Sequence, residues 1–136
     1  MESYPIAKIR PIAPFYAAKL KSVGIRSTRT LLQRTATPKL RKELSEATDV
    51  PMKLILDWAN IADLSRVRGI AVDYAELLVA AGVDTVKDLS RRNAANLVAR
   101  MTDVNGRKPH VDLLPTEKRV EGWIKEAKSM KPGMDY

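Results

Sequence analysis

Ten lysines and arginines stand in the first 45 residues: Lys8, Arg10, Lys19, Lys21, Arg26, Arg29, Arg34, Lys39, Arg41 and Lys42, against only Glu2 and Glu43. The other 91 residues carry fourteen basic and fourteen acidic side chains, so the formal charge of +8 resides at one end. A basic excess concentrated in this way is what a binding face for a polyanion requires. The plain alternative is an ordinary solvated face. Other chemistries have little to stand on. Without cysteine there is no disulfide, thiolate metal site or thiol nucleophile. His110 is the single histidine and makes no cluster, so a metal site would rest on it and on carboxylates alone. The pairs Asp57/Asp63 and Glu117/Glu121 share helical faces, yet Glu117 and Glu121 have basic partners on the same helix, and surface pairing accounts for them. Lys8 or Lys19 as a Schiff-base nucleophile would need a lowered pKa that nothing in the sequence indicates. KSVGIRST lacks the lysine-serine pair that follows the glycines of a phosphate-binding loop. The expectation is a protein that is not an enzyme, with no cofactor and no metal.

The elements that position these residues are written twice. Residues 6–31, IAKIRPIAPFYAAKLKSVGIRSTRTL, align without a gap on residues 64–89, LSRVRGIAVDYAELLVAAGVDTVKDL, at an offset of 58. Eight of the 26 positions are identical: Arg10/Arg68, Ile12/Ile70, Ala13/Ala71, Tyr16/Tyr74, Ala17/Ala75, Leu20/Leu78, Gly24/Gly82 and Leu31/Leu89. Lys8/Arg66, Ile9/Val67 and Ile25/Val83 exchange like for like. Spacing kept over that length points to duplication. In each copy a short helix ending near Ile9 or Val67 should meet a tight turn, Arg10–Ala13 or Arg68–Ala71. Pro11 fixes φ in the first turn, and Gly69 is free to take a left-handed φ in the second. Helices over 14–23 and 72–81 follow, with Tyr16, Ala17 and Leu20, or Tyr74, Ala75 and Leu78, facing inward. Gly24 and Gly82 stop them.

The second half of each copy is helical as well. Thr37 caps a helix over 38–47 with Leu40, Leu44 and Ala47 on one face. A longer helix from Pro51 to about Leu64 carries Leu54, Ile55, Trp58, Ile61 and Ala62. Asn93 caps a helix containing Leu97, Val98, Met101 and Val104. The loop NGRKPHVDLLP then leads to a final helix from Pro115 to about Met130 with Val120, Trp123, Ile124 and Ala127. Ile55 and Trp58 match Val120 and Trp123 at an offset of 65, so the second copy holds a seven-residue insertion. Both tryptophans read as core anchors. Alternation long enough for a strand is absent. The sequence therefore predicts an all-α fold of about eight to ten short helices in one compact bundle over 1–136. Its two repeats cover 4–63 and 64–130, and a frayed tail covers 131–136. No apolar stretch approaches the roughly 20 residues of a membrane span. MESYPIAKIR lacks the apolar run of a signal peptide, so a cytoplasmic location is expected.

At residues 9–25 and 67–83 the pattern resembles the helix-hairpin-helix motif. There, two short helices flank a hairpin that reads hydrophobic-x-Gly-hydrophobic-Gly before a helix with an alanine/leucine face and a closing glycine. AAGVDTVKDL at 80–89 is similar to the matching stretch of tandem helix-hairpin-helix domains in recombinases and some DNA polymerases. Over nearly all of residues 4–130, including TPKLRKEL at 37–44, the chain resembles an uncharacterised bacterial family of duplicated helix-hairpin-helix proteins, a domain of unknown function.

That resemblance implies a phosphate held by hairpin amides at a helix N-terminus, with no base read. The hairpins here are Pro11–Ile12–Ala13 and Gly69–Ile70–Ala71, which depart from the motif. The second glycine is alanine in both, and proline in the first copy removes a donor. A left-handed alanine would cost about 1–2 kcal/mol. Asp73 adds negative charge where a phosphate would approach the second hairpin. The candidate nucleic-acid-binding residues are Lys8, Arg10, Ile12, Ala13, Lys19, Lys21, Arg26 and Arg29 of the first copy, and Arg66, Arg68 and Gly69 of the second. Lys39, Arg41 and Lys42 begin the next helix of the first copy. The expected function is non-catalytic, sequence-nonspecific and salt-dependent binding of DNA or another polyanion. The alternative is a helical protein-interaction module with degenerate hairpins, whose basic third meets an acidic protein partner.

Overall fold

The structure, a computed structural model, describes residues 3–136 and is all-helical. A 3₁₀ turn at Ile6–Lys8 precedes α1 (Pro14–Ser22), α2 (Thr28–Gln33), α3 (Pro38–Thr48) and α4 (Met52–Leu64). The second half holds α5 (Val72–Ala80), α6 (Val86–Leu89), α7 (Ala94–Arg107) and α8 (Glu117–Ser129). Short polar side chains start most of them by accepting an otherwise orphaned amide. Ser27, Thr37, Thr85, Asn93 and Thr116 accept from the N–H groups of Thr30, Leu40, Asp88, Asn96 and Arg119.

The duplication recurs hydrogen bond by hydrogen bond. Gly24 (φ 87°) and Gly82 (φ 94°) close α1 and α5 in the left-handed conformation that only glycine takes without strain. Past each glycine, Ile25 N–H reaches Leu20 O at 3.0 Å and Val83 N–H reaches Leu78 O at 2.9 Å. Gly24 and Gly82 themselves donate to Lys21 O and Val79 O, both at 3.0 Å, completing the six-to-one and five-to-two bonds of a Schellman cap. The Arg10–Ala13 and Arg68–Ala71 turns match too: Ile12 donates to Ile9 O and Ile70 to Val67 O, each at 3.0 Å.

Packing repeats in the same way. Tyr16 lies on Trp58 and Tyr74 on Trp123, both pairs with centroids 5.5 Å apart, at interplanar angles of 59° and 56°. In the first half α2 and α3 pack on α4, and in the second α6 and α7 pack on α8. α4 also packs on α5 and so joins the halves. It is buried around most of its circumference from Trp58 onward, as expected of a helix covered on several sides. One continuous cluster of buried side chains runs from Ile6, Leu20, Leu31 and Ile55 through Trp58 to Ile70, Leu78, Leu89, Met101 and Trp123. No helix among the described residues is long and apolar enough to cross a membrane.

Three local expectations are corrected. The buried face of α3 is Arg41, Leu44 and Thr48, with Ala47 exposed. Arg41 goes inside because its guanidinium donates to Thr35 O (2.8 Å) and Asp135 O (2.9 Å) while its stem packs. α7 continues through Gly106 to Arg107, past the expected loop start. Asn105 Oδ1 accepts from His110 N–H (2.7 Å) and Val111 N–H (3.1 Å), folding the loop back against the helix end. Residues 131–136, expected to fray, lie across α4. Arg66 donates to Lys131 O at 3.0 Å, Asp135 N–H to Ala36 O at 2.7 Å, and the Tyr136 hydroxyl to Asn60 Oδ1. These contacts answer the buried polar groups of α3 and α4, which a hydropathy pattern does not reveal.

Gly133 passes so close to α4 that a Cβ there would run into Asp63 Oδ1 and sit 3.0 Å from the Arg66 guanidinium. Gly133→Val should therefore lift the tail without unfolding the helices. Amide exchange at Asp135 should rise to that of unstructured chain while α4 stays protected. Protection retained at Asp135 would contradict the docking.

Candidate nucleic-acid interface

In the second copy the turn is closed by the chain's own acids. Gly69 (φ 90°) takes the left-handed conformation, and a Cβ there would meet Trp123 Nε1 at 3.2 Å. Arg68 N–H, an amide that an incoming phosphate would want, donates to the Glu126 carboxylate at 3.2 Å. Asp73 accepts Tyr74 N–H at 2.8 Å in the first turn of α5. Arg66 is held by Asp63 at 2.8 Å and by Lys131 O. Of the three second-copy candidates, only the exposed Arg68 side chain is left without a partner among the described residues.

In the first copy the same positions carry no acid. Ile61 stands where the second copy has Glu126, and Phe15 where it has Asp73. α1 begins with neither a side-chain cap nor an acidic residue in its first turn. Ala13 is extended (φ −61°, ψ 156°), as is Ala71 (φ −73°, ψ 172°), so the left-handed cost expected for these alanines does not arise. Ile12 is core, 6% exposed, and its N–H is taken by Ile9 O, which removes it from the donor set. Arg10 bridges the two copies: its Nε lies 3.5 Å from Glu76 Oε1, and a terminal nitrogen donates to His110 O at 2.6 Å. Lys19 Nζ donates to Thr48 O at 2.9 Å and sits 5.0 Å from the centre of the Phe15 ring.

Among the described residues, Glu76 is the one deeply buried acid left half satisfied. Its side chain is 4% exposed and Oε2 has no hydrogen-bond partner. Burial pushes its carboxyl above the usual range, the Arg10 guanidinium pulls it back, and Asp73 adds a smaller push upward. The folded state therefore holds this proton more readily than the unfolded chain. The corresponding stability is fully present below the unfolded value and is lost as pH rises through the folded one. Glu76→Gln should flatten the dependence of unfolding free energy on pH in that window. An unchanged slope in urea titrations at several pH values would contradict this.

Lys8, Lys21 and Arg26 remain exposed with no side-chain hydrogen bond or ion pair among the described residues, and so do Lys39 and Lys42. Arg29 is exposed and engaged within the chain. Backbone pairing sets two of these segments side by side: Ile6 N–H donates to Arg26 O at 3.0 Å, with Lys8 two residues on. Lys8 and Arg10 also line a groove of about 540 Å³ against Ala71, Val72 and Asp73. Sequence reasoning counted Arg34 among the basic residues but missed its match with Arg92, which keeps the offset of 58 three residues beyond the aligned block. Arg34 donates to Val23 O at 3.0 Å and Arg92 to Gly82 O at 2.7 Å, each clamping the end of the preceding helix. Extending the alignment would have found them.

Fold and site together define a small, internally repeated, all-helical protein with unpaired cations in the first of its two copies. The chain belongs to the family described as Domain of unknown function (DUF4332), which it matches over residues 10–130. No curated protein and no solved structure matches it.

Proposed function

We propose that the protein is a non-catalytic binder of the nucleic-acid backbone, without sequence preference, acting through its first copy while the second serves as packing partner. The observation that carries this reading is the asymmetry of the matched turns. Glu126 caps the Arg68 amide in the second copy. In the first copy no acid occupies the position of Glu126: Glu76 is held by Arg10, Asp73 shares a groove with Lys8, and Lys8, Lys21 and Arg26 carry no partner among the described residues. Cations free to meet phosphate release condensed counterions on binding, which makes such binding steep in salt and blind to sequence. The likeness of the turns to helix-hairpin-helix hairpins supports the same reading.

Arg10 and Lys19, both engaged within the chain, contribute field rather than direct contacts, as does Arg68 of the second copy. The same cations would serve an acidic protein partner, and the missing donor at Pro11 together with the occupied Ile12 amide favours that second reading. Equilibrium binding to a random-sequence oligonucleotide, followed from about 50 mM salt upward, separates the two. The expected result is micromolar binding lost steeply with salt. No binding at the lowest salt would overturn the proposal in favour of the protein partner.

A further inference from the structure

The aromatic side chains of the fold divide unevenly. Trp58 and Trp123 are buried, Tyr16 and Tyr74 lie against them, and Tyr136, though 62% exposed, is tied through its hydroxyl to Asn60 beneath the Arg41 guanidinium. Phe15 is 67% exposed, although it belongs to a helix whose Leu20 is fully buried. Its ring meets Tyr16 at 5.5 Å and a 57° tilt, and the Lys19 ammonium at 5.0 Å. That ammonium is fixed by its bond to Thr48 O, so the cation is held over one face of the ring rather than sweeping through solvent. The ring directly follows the first turn, and the matching residue of the second copy is Asp73, in the first turn of α5.

A lone apolar side chain on a surface is common and needs no function. An exposed aromatic ring under a held cation, at the start of the helix that follows the first turn and in the copy that carries the unpaired Lys8, Lys21 and Arg26, has a more specific use. Bases inside a duplex are stacked on one another and offer no free face, whereas bases of a single strand do, and aromatic rings beside a basic face are how such strands are held.

We infer that the first copy takes single-stranded nucleic acid, one base stacking on Phe15 while neighbouring phosphates meet Lys8, Lys21 and Arg26. This rests on the backbone-binding reading above and names its ligand class. Affinity then depends on the ring and on charge separately, since removing the ring leaves every cation in place.

The test is fluorescence anisotropy at about 50 mM salt with labelled oligo(dT), oligo(rU) and a mixed-sequence duplex, each of about 15 nucleotides or base pairs. Wild-type protein should bind a single strand more tightly than the duplex. Phe15→Ala should weaken strand binding by about 5- to 100-fold while changing duplex binding by no more than about twofold. Phe15→Trp should restore strand binding. Comparison of oligo(dT) with oligo(rU) distinguishes DNA from RNA as the source of the strand. Equal or tighter duplex binding, or a Phe15→Ala variant that binds every ligand as wild type does, overturns the inference and leaves backbone binding standing. Failure of all three oligonucleotides to bind overturns both.

Discussion

Asp63→Ala should lower the unfolding free energy by about 3–5 kcal/mol, the cost of breaking a buried ion pair by removing one partner. Asp63 is 1% exposed near the end of α4, where three separate parts of the chain meet. Its Oδ1 accepts the Arg66 Nε at 2.9 Å and faces a second guanidinium nitrogen at 2.8 Å, while Oδ2 accepts Val86 N–H at 2.9 Å. Alanine would strand a guanidinium whose side chain is only 12% exposed and leave a buried amide at the first turn of α6 without a partner. Arg66 also holds Lys131 O, so the tail should loosen together with α6. Asp63→Asn, which keeps an acceptor for Val86, should cost less. Urea unfolding followed by tryptophan fluorescence reads the difference, since Trp58 and Trp123 lie in the core of the two copies. A loss under about 1 kcal/mol would mean that this carboxylate does not join the halves.

Reversing three charges at once, Lys8→Glu, Lys21→Glu and Arg26→Glu, should weaken nucleic-acid binding by about 100-fold or more at low salt, because each site changes from attracting a phosphate to repelling one. Stability should hardly change, because the three side chains are exposed and none is paired among the described residues. That separation of effects matters. Arg10→Glu would be a poor test, since Arg10 is the partner of buried Glu76 and its loss would disturb the join between copies. Binding within about threefold of wild type for the triple variant would remove the first copy from the interface.

Much of the fold was legible because its signals are local. Gly24 and Thr37, with Gly82 and Asn93 in the second copy, each act on a backbone within four residues, and each starts or stops a helix as its chemistry requires. What escaped the sequence depends on groups far apart in the chain. Burial of Arg41 is made tolerable by the carbonyl of Asp135, 94 residues away. Likewise, the Glu126 carboxylate reaches the Arg68 amide only because α8 folds back over α5 through the Trp123–Tyr74 contact. Of the site, the location of the excess charge was legible from counting, but which cations stay unpaired was not. Lys19 and Arg10 look the same in sequence as Lys21 and Arg26. Only packing gives Lys19 the Thr48 carbonyl and Arg10 the Glu76 carboxylate.

The most direct test of the asymmetry between the copies is the slope of log binding constant against log salt for three proteins side by side. These are wild type, the first-copy variant Lys8→Glu/Lys21→Glu/Arg26→Glu, and a second-copy control, Lys118→Glu/Lys125→Glu/Lys128→Glu, in which three exposed cations of α8 are reversed. Each phosphate contact contributes about 0.7–0.9 to the slope, so the first-copy variant should lose about two or more from its magnitude while the control keeps the wild-type slope. Equal losses in both variants, or a loss confined to the second copy, would contradict a binding face on the first.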